Sequence, residues 1–150
     1  MGAVTKFFDT FEAALAKANI LRSKRLGDGI LFFSCEIEPG DWLDATERLL
    51  APAIRRYCLD IADVFPFEYS LVVGYGEFYL LSASDPIGIA IDDLFLVERH
   101  GDLNKTLVSS ELCRRAPRRY ANRFLERRTE SIGYLDGLSV PYFELLPHEI

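Results

Sequence analysis

Six residues, Lys24-Arg25-Leu26-Gly27-Asp28-Gly29, run directly into the apolar stretch Ile30-Leu31-Phe32-Phe33. A charged strand that meets Gly-Asp-Gly reverses readily, because glycine accepts the left-handed backbone of a tight hairpin turn. The segment therefore reads as a β-hairpin with one polar and one apolar arm. Its turn carries the Asp28 carboxylate with glycines on both sides and few neighbours to shield it. Such a group is either an ordinary Asp-Gly turn residue or a ligand for a hard divalent cation such as Mg²⁺.

Helical and strand signals alternate on either side of this hairpin. Val4, Phe7, Phe8, Phe11, Ala14, Leu15, Ala18 and Leu21 recur at helical spacing and predict an amphipathic opening helix. Glu38-Pro39-Gly40-Asp41 predicts a turn, with Asp41 as N-cap of a helix that begins at Trp42. Pro52 inside that helix should kink or divide it. From Pro66 onward, strands are expected over Tyr69–Val73 and Glu77–Leu81, joined across Gly74-Tyr75-Gly76. Asp85-Pro86-Ile87-Gly88 then leads into a helix from Ile89 to Arg99. Thr106–Val108 follows as a short strand, and Ser109 or Ser110 caps the next helix. Two last strands, near Thr129–Leu135 and Val140–Leu146, are expected around Asp136-Gly137. Hairpins interleaved with helices predict an α+β fold: a ferredoxin-like sandwich, its largely antiparallel sheet covered by helices. No repeat or linker interrupts residues 1–150, so a single domain is expected.

Bulk properties narrow the function classes. A net charge of -6 argues against general nucleic-acid binding, which needs a basic footprint. Cys35, Cys58 and Cys113 are odd in number and widely spaced, unlike a disulfide framework or a zinc site. No apolar run approaches a membrane span and no signal-peptide layout opens the chain, so a cytoplasmic, non-membrane protein is expected.

Four segments, in order, resemble the catalytic domain of class III nucleotidyl cyclases, the adenylate and guanylate cyclase family. Lys24–Phe33 is similar to that family's Lys-Thr-Leu-Gly-Asp-Gly turn and strand. Val73-Gly74-Tyr75-Gly76-Glu77 is similar to its Gly-Ile-His-x-Gly-Glu hairpin, and Asp85-Pro86-Ile87-Gly88 to the Asp-x-x-Gly before its nucleotide-side helix. Leu107-Val108-Ser109, then Leu135–Ser139 with Tyr142-Phe143-Glu144-Leu145, complete the series. The resemblance implies a nucleoside triphosphate substrate cyclised with loss of pyrophosphate, and two divalent cations, Mg²⁺ or Mn²⁺. It also implies a head-to-tail dimer, either of two copies or with another cyclase-like chain. It places Asp28 on the second metal-binding aspartate, and Lys24 and Asp85 on the two base-selecting positions. Lysine can donate to a ring nitrogen and a carboxylate can accept from an exocyclic amine, as adenine presents and cytosine also does.

The same comparison exposes departures. The family's first metal aspartate lies on an N-terminal strand that these 150 residues do not contain, and Asp9, inside the opening helix, does not replace it. An asparagine and, one turn later, an arginine expected after Gly88 are here Asp92 and Leu96, which leaves Asp92 as the substrate-side residue at its position. A basic residue of the last hairpin is Asp136. The resemblance thus implies that base recognition is kept and phosphate handling eroded. Two expectations follow: a divergent cyclase, of the kind seen in bacterial signalling or antiphage defence, or a non-catalytic nucleotide- or partner-binding module. The arginine-rich run Arg114–Arg128 reads as an exposed helix and loop paired with acids such as Glu126 and Glu130. Its sharper alternative is an interface or phosphate-docking surface. His100 and His148 receive no role.

Overall fold

A computed structural model describes residues 2–27, 29–61, 68–83, 85–128 and 140–147. These fall into two units, one ending at Tyr69 and the other beginning at Ser70, with the short piece at 82–84 grouped with the first. Asp28, Pro66, Asp136, His148 and the strand expected over Thr129–Leu135 lie outside the described residues.

In the first unit, α1 (Gly2–Lys17) buries Phe8, Phe11, Ala14 and Leu15 at the three- and four-residue spacing of one helical face. It ends before the apolar pattern does. Asn19 adopts a left-handed φ of 61°, and Leu21 beyond it is 83% exposed. The expected hairpin is present: β1 (Arg22–Leu26) and β2 (Gly29–Phe33) pair antiparallel from Arg22↔Phe33 to Leu26↔Gly29.

The next helix, α2 (Pro39–Ala45), starts three residues earlier than expected. Proline's fixed φ suits the first turn of a helix, so Glu38 takes the cap position and its carbonyl accepts from the Trp42 N–H at 2.9 Å. Asp41 lies in the first turn and is not the N-cap. The division expected at Pro52 takes the form of a π-helical turn, Thr46–Leu50, between α2 and α3 (Ala51–Ile61). Proline has no N–H to give and crowds the carbonyl four residues back, and the wider turn absorbs that mismatch. Aromatic contacts tie these elements together: Phe7 to Tyr57 at 5.5 Å, Phe11 to Phe32 at 5.5 Å, and Phe32 to Trp42 at 5.8 Å between ring centroids.

The second unit contains β3 (Leu71–Val73), β4 (Tyr79–Leu80), β5 (Pro86–Ile87), α4 (Ile89–His100), β6 (Thr106–Ser109), α5 (Ser110–Arg115), β7 (Phe124–Arg128) and β8 (Pro141–Leu145). Its main sheet has the order β3-β6-β8-β7. β3 runs parallel to β6, and β8 runs antiparallel to both of its neighbours. The largely antiparallel α+β arrangement expected from the sequence holds. Val97 of α4 packs with Leu107 and Tyr142, with Val72 and Val140 at the edge of that cluster.

Two strand assignments need correction. β3 and β4 do not form a hairpin with each other: β3 enters the main sheet, and β4 pairs antiparallel with β5 through Tyr79↔Ile87 and Leu80↔Pro86. The length of Gly74–Phe78 carries the chain out of the first sheet before it pairs again. The second correction concerns the arginine run, which is not simply an exposed helix and loop. It includes α5, a 3-10 turn at Arg118–Tyr120 and the strand β7, which pairs with β8. Phe124 pulls this segment inward by packing against Tyr120 and Phe143. Ser109 is the cap of α5, its Oγ accepting from the Leu112 N–H at 3.2 Å.

Candidate functional site

Lys24 lies exposed on β1, opposite Leu31 of β2. Side chains alternate along a strand, so its neighbour Arg25 belongs to the other face of the hairpin. The Arg25 guanidinium donates to Glu12 at 2.7 Å, reaches Asp9 at 3.5 Å, and sits 4.8 Å above the centroid of the Phe8 ring. The hydrogen bond to Glu12 is the main reason its pKa lies above the ordinary arginine value.

In the second unit, the candidate residues gather at the start of α4. Gly88 occupies the cap position, and its carbonyl accepts from the N–H groups of Ile91 at 3.1 Å and Asp92 at 3.0 Å. Asp85 is half-buried ahead of β5, and its carbonyl closes the preceding turn by accepting from the Leu81 N–H at 3.0 Å. Asp92 is exposed in the first turn of α4, where the helix dipole favours a carboxylate. Asp92 thus belongs to the first turn of α4, while Asp85 lies three residues before the cap Gly88, ahead of β5. Leu96, one turn on, is half-buried, and Arg99 is exposed.

Burial, reinforced by the charge of Asp92, raises the pKa of the adjacent Asp93 above the ordinary aspartate value. A carboxyl whose pKa is higher folded than unfolded binds more protons in the native state. Its contribution to stability therefore falls as pH rises from the unfolded pKa through the folded one. Asp93→Asn is accordingly expected to raise the thermal midpoint modestly at pH 7 and to leave it unchanged below pH of about 3, where both states are protonated. Thermal denaturation followed by circular dichroism across that range checks it.

The Gly74-Tyr75-Gly76 segment is a seat for α4. At Gly76, φ is 157° and a Cβ would stand 2.9 Å from the Ala90 Cβ, so only glycine lets the helix come this close. Tyr75 is fixed from two sides: its N–H donates to Ser109 Oγ at 3.3 Å, and Arg115 lies 5.3 Å over its ring. Arg115 is in turn held by Glu111 at 2.6 Å, and Arg114 bonds the same carboxylate. Those two hydrogen bonds hold the Glu111 pKa below the usual glutamate value.

Nearby, the β4–β5 region exposes large apolar side chains. Tyr79, Leu81 and Ile89 are 70%, 73% and 78% exposed, with Leu80 and Ile87 also uncovered. As for cations, no group of three or more His, Cys, Asp or Glu side chains among the described residues is placed to hold a metal ion.

No family model and no curated protein matches the chain. Solved structures do. The guanylyl cyclase Cya2 superposes with a TM-score of 0.68 over 95% of this chain and 80% of its own, at 18% identity. The chain has the class III nucleotidyl cyclase fold. The same holds for the catalytic core of a rhodopsin-guanylyl cyclase with converted specificity, in complex with ATPαS. Its TM-score is 0.62 over 97% of this chain and 81% of its own, at 12% identity. The guanylate cyclase domain of RhGC from Catenaria anguillulae, in complex with GTP, gives 0.60 over 99% and 84%, also at 12% identity. Against this cyclase fold, the sequence missed Arg25 as the link between β1 and α1, since its partners lie 13 and 16 residues away. Ser109 was legible as a helix cap, but its second bond, accepted from the Tyr75 N–H, was not.

Proposed function

We propose that this chain is a nucleotidyl-cyclase domain acting on a nucleoside triphosphate, and that residues 1–150 work as one such domain. Support comes above all from the cyclase fold over nearly the whole chain, together with the retained Lys24–Phe33 hairpin and Asp85-Pro86-Ile87-Gly88 entry to α4. Lys24 would donate to a ring nitrogen of the base, Asp85 would accept from its exocyclic amine, and Asp92 would face the substrate beside it. In the reaction the ribose 3′-oxygen loses its proton and bonds to the α-phosphorus, while the bond from that phosphorus to the bridging oxygen of pyrophosphate breaks. The products are a 3′,5′-cyclic nucleotide and pyrophosphate.

A divalent cation, Mg²⁺ or Mn²⁺, belongs to this proposal, with Asp28 as its ligand. The described side chains do not by themselves make a cation site. The partner is a second cyclase-type domain, from another copy or a related chain, in a head-to-tail pair. The uncovered Tyr79, Leu81 and Ile89 favour such a partner. No helix among the described residues is long and apolar enough to cross a membrane, which is compatible with a cytoplasmic setting in bacterial signalling or antiphage defence.

A second reading, a cyclase-like module that binds nucleotide without turning it over, is favoured by one feature. α4 presents the carboxylates of Asp92 and Asp93 and the side chain of Leu96, and no donor among them can neutralise phosphate charge. The deciding experiment incubates the protein with Mn²⁺ and each of the four ribonucleoside triphosphates and reads the products by mass spectrometry, with sedimentation alongside. A cyclic product that is absent from Asp28→Ala is the expected result. A dimer with no product would replace catalysis with binding.

A further inference from the structure

β1 has an unusual problem of orientation. Its residues Arg22-Ser23-Lys24-Arg25 are all exposed, and only Leu26 is half-buried. A strand is normally told which face to bury by its apolar side chains; β1 is polar on both sides, so its register rests on the turn, on the alternately buried β2 and on whatever holds its polar side chains. A slip of one residue would exchange Lys24 and Arg25 between the two faces of the hairpin. Two neighbouring basic residues make that exchange cheap by composition alone.

Arg25 is nevertheless committed to one face. It donates to Glu12 at 2.7 Å, reaches Asp9 at 3.5 Å and lies 4.8 Å over the Phe8 ring, all three on α1. Glu12 and Phe8 are four residues apart and Asp9 lies between them, so they form one patch on the helix. The planar guanidinium suits such a patch, since it can bond a carboxylate edge-on while stacking on a ring, which an ammonium cannot do as well. Lys24 would lose this selection if it occupied the Arg25 position.

From this we infer that Arg25 is a positioning residue: its attachment to Glu12, Asp9 and Phe8 selects the face of β1 and thereby sets the direction from which Lys24 meets the nucleotide base. The inference rests on Lys24 reading the base, as proposed above. Arg25 itself touches no substrate. It acts through the strand, so its loss changes discrimination between bases more than overall affinity for the triphosphate.

The test measures dissociation constants of the purified protein for ATP, GTP, CTP and UTP in Mn²⁺, and the ratio between the best and worst bound. Arg25→Ala is expected to reduce that ratio by about fivefold, the effect of roughly 1 kcal/mol. Glu12→Gln, which keeps the side-chain volume, should lower it in the same direction. The exchange Arg25→Glu with Glu12→Arg should restore part of it. In a Lys24→Ala background Arg25→Ala should change nothing further, because the residue through which it acts is gone. Backbone amides at 22–33 should exchange hydrogen faster in Arg25→Ala than in the unaltered protein.

Unchanged base ratios in Arg25→Ala and Glu12→Gln, with the unaltered protein binding nucleotide selectively, would overturn the inference and leave the nucleotide reading intact. Equal effects of Arg25→Ala with and without Lys24 would also overturn it, since Arg25 would then act independently. If the unaltered protein binds none of the four, the nucleotide reading fails and the inference falls with it.

Discussion

Leu96→Arg combined with Asp92→Asn is expected to raise cyclic-nucleotide formation by about 100- to 1000-fold, the effect of one well-placed charge-stabilising donor. In the reaction proposed above, negative charge would grow on the phosphate oxygens as the 3′-oxygen attacks, and a barrier falls when fixed donors face such charge in a site from which water is excluded. Leu96 offers no donor, and Asp92 in the first turn adds charge of the wrong sign. An arginine at 96 brings a permanent fork of N–H groups, and an amide at 92 removes the repulsion. Leu96 is half-buried, so the new guanidinium can lay its stem along the helix and bring its head to the surface. Mass-spectrometric product counts per hour, on single and double variants, check the result. No gain in the double variant would mean that the obstacle lies elsewhere than α4.

The largest expected effect on stability lies at Glu144. Its carboxylate is mostly buried on β8, with only 11% of the side chain exposed, and receives Lys105 Nζ at 3.3 Å and an Arg127 terminal nitrogen at 3.2 Å. Arg127 also stands 3.8 Å from Asp102. The two cations are 40% and 38% exposed, so water already serves them in part. Removing both, as Lys105→Ala with Arg127→Ala, strands a buried carboxylate and should cost about 3–5 kcal/mol. Glu144→Leu removes the buried charge itself and leaves cations that can turn to solvent, and it should change stability by about 1 kcal/mol or less. Urea denaturation of the three proteins separates these cases. Equal costs from either side would mean that the carboxylate is far better hydrated than its surroundings suggest.

Local signals in the sequence carried much of the architecture. The Gly27–Gly29 turn, the Pro52 discontinuity, the Ser109 cap and the helix from Ile89 each depend on residues within a few positions of one another, where backbone chemistry decides the outcome. What could not be read was pairing at a distance. Gly74–Phe78 looked like a hairpin connection because two β-prone runs flank it, yet β3 pairs with β6 more than thirty residues later, a choice made by packing of the sheet. The arginine run was hidden for a similar reason: its charges suggested solvent, while Phe124 and Tyr120 drew the segment into the sheet. At the candidate site, the place of Asp92 in the first turn of α4 followed from local helix chemistry, whereas the hold of α1 on Arg25 had no local signature.

The order β3-β6-β8-β7 has a consequence for how the protein is made. β6 sits between a strand synthesised well before it and the strand at Pro141–Leu145, and among the described strands β7 joins the sheet through β8. A nascent chain that has released β3, α4 and β6 from the ribosome still leaves one side of β6 open, with the backbone beside Leu107 and Val108 unpaired. Closing this side of β6 waits for β8 to emerge, so its long-range pairing comes late and makes assembly slow compared with that of a helical bundle. During that interval the open strand is the place where a chaperone, or a neighbouring nascent chain, would first take hold.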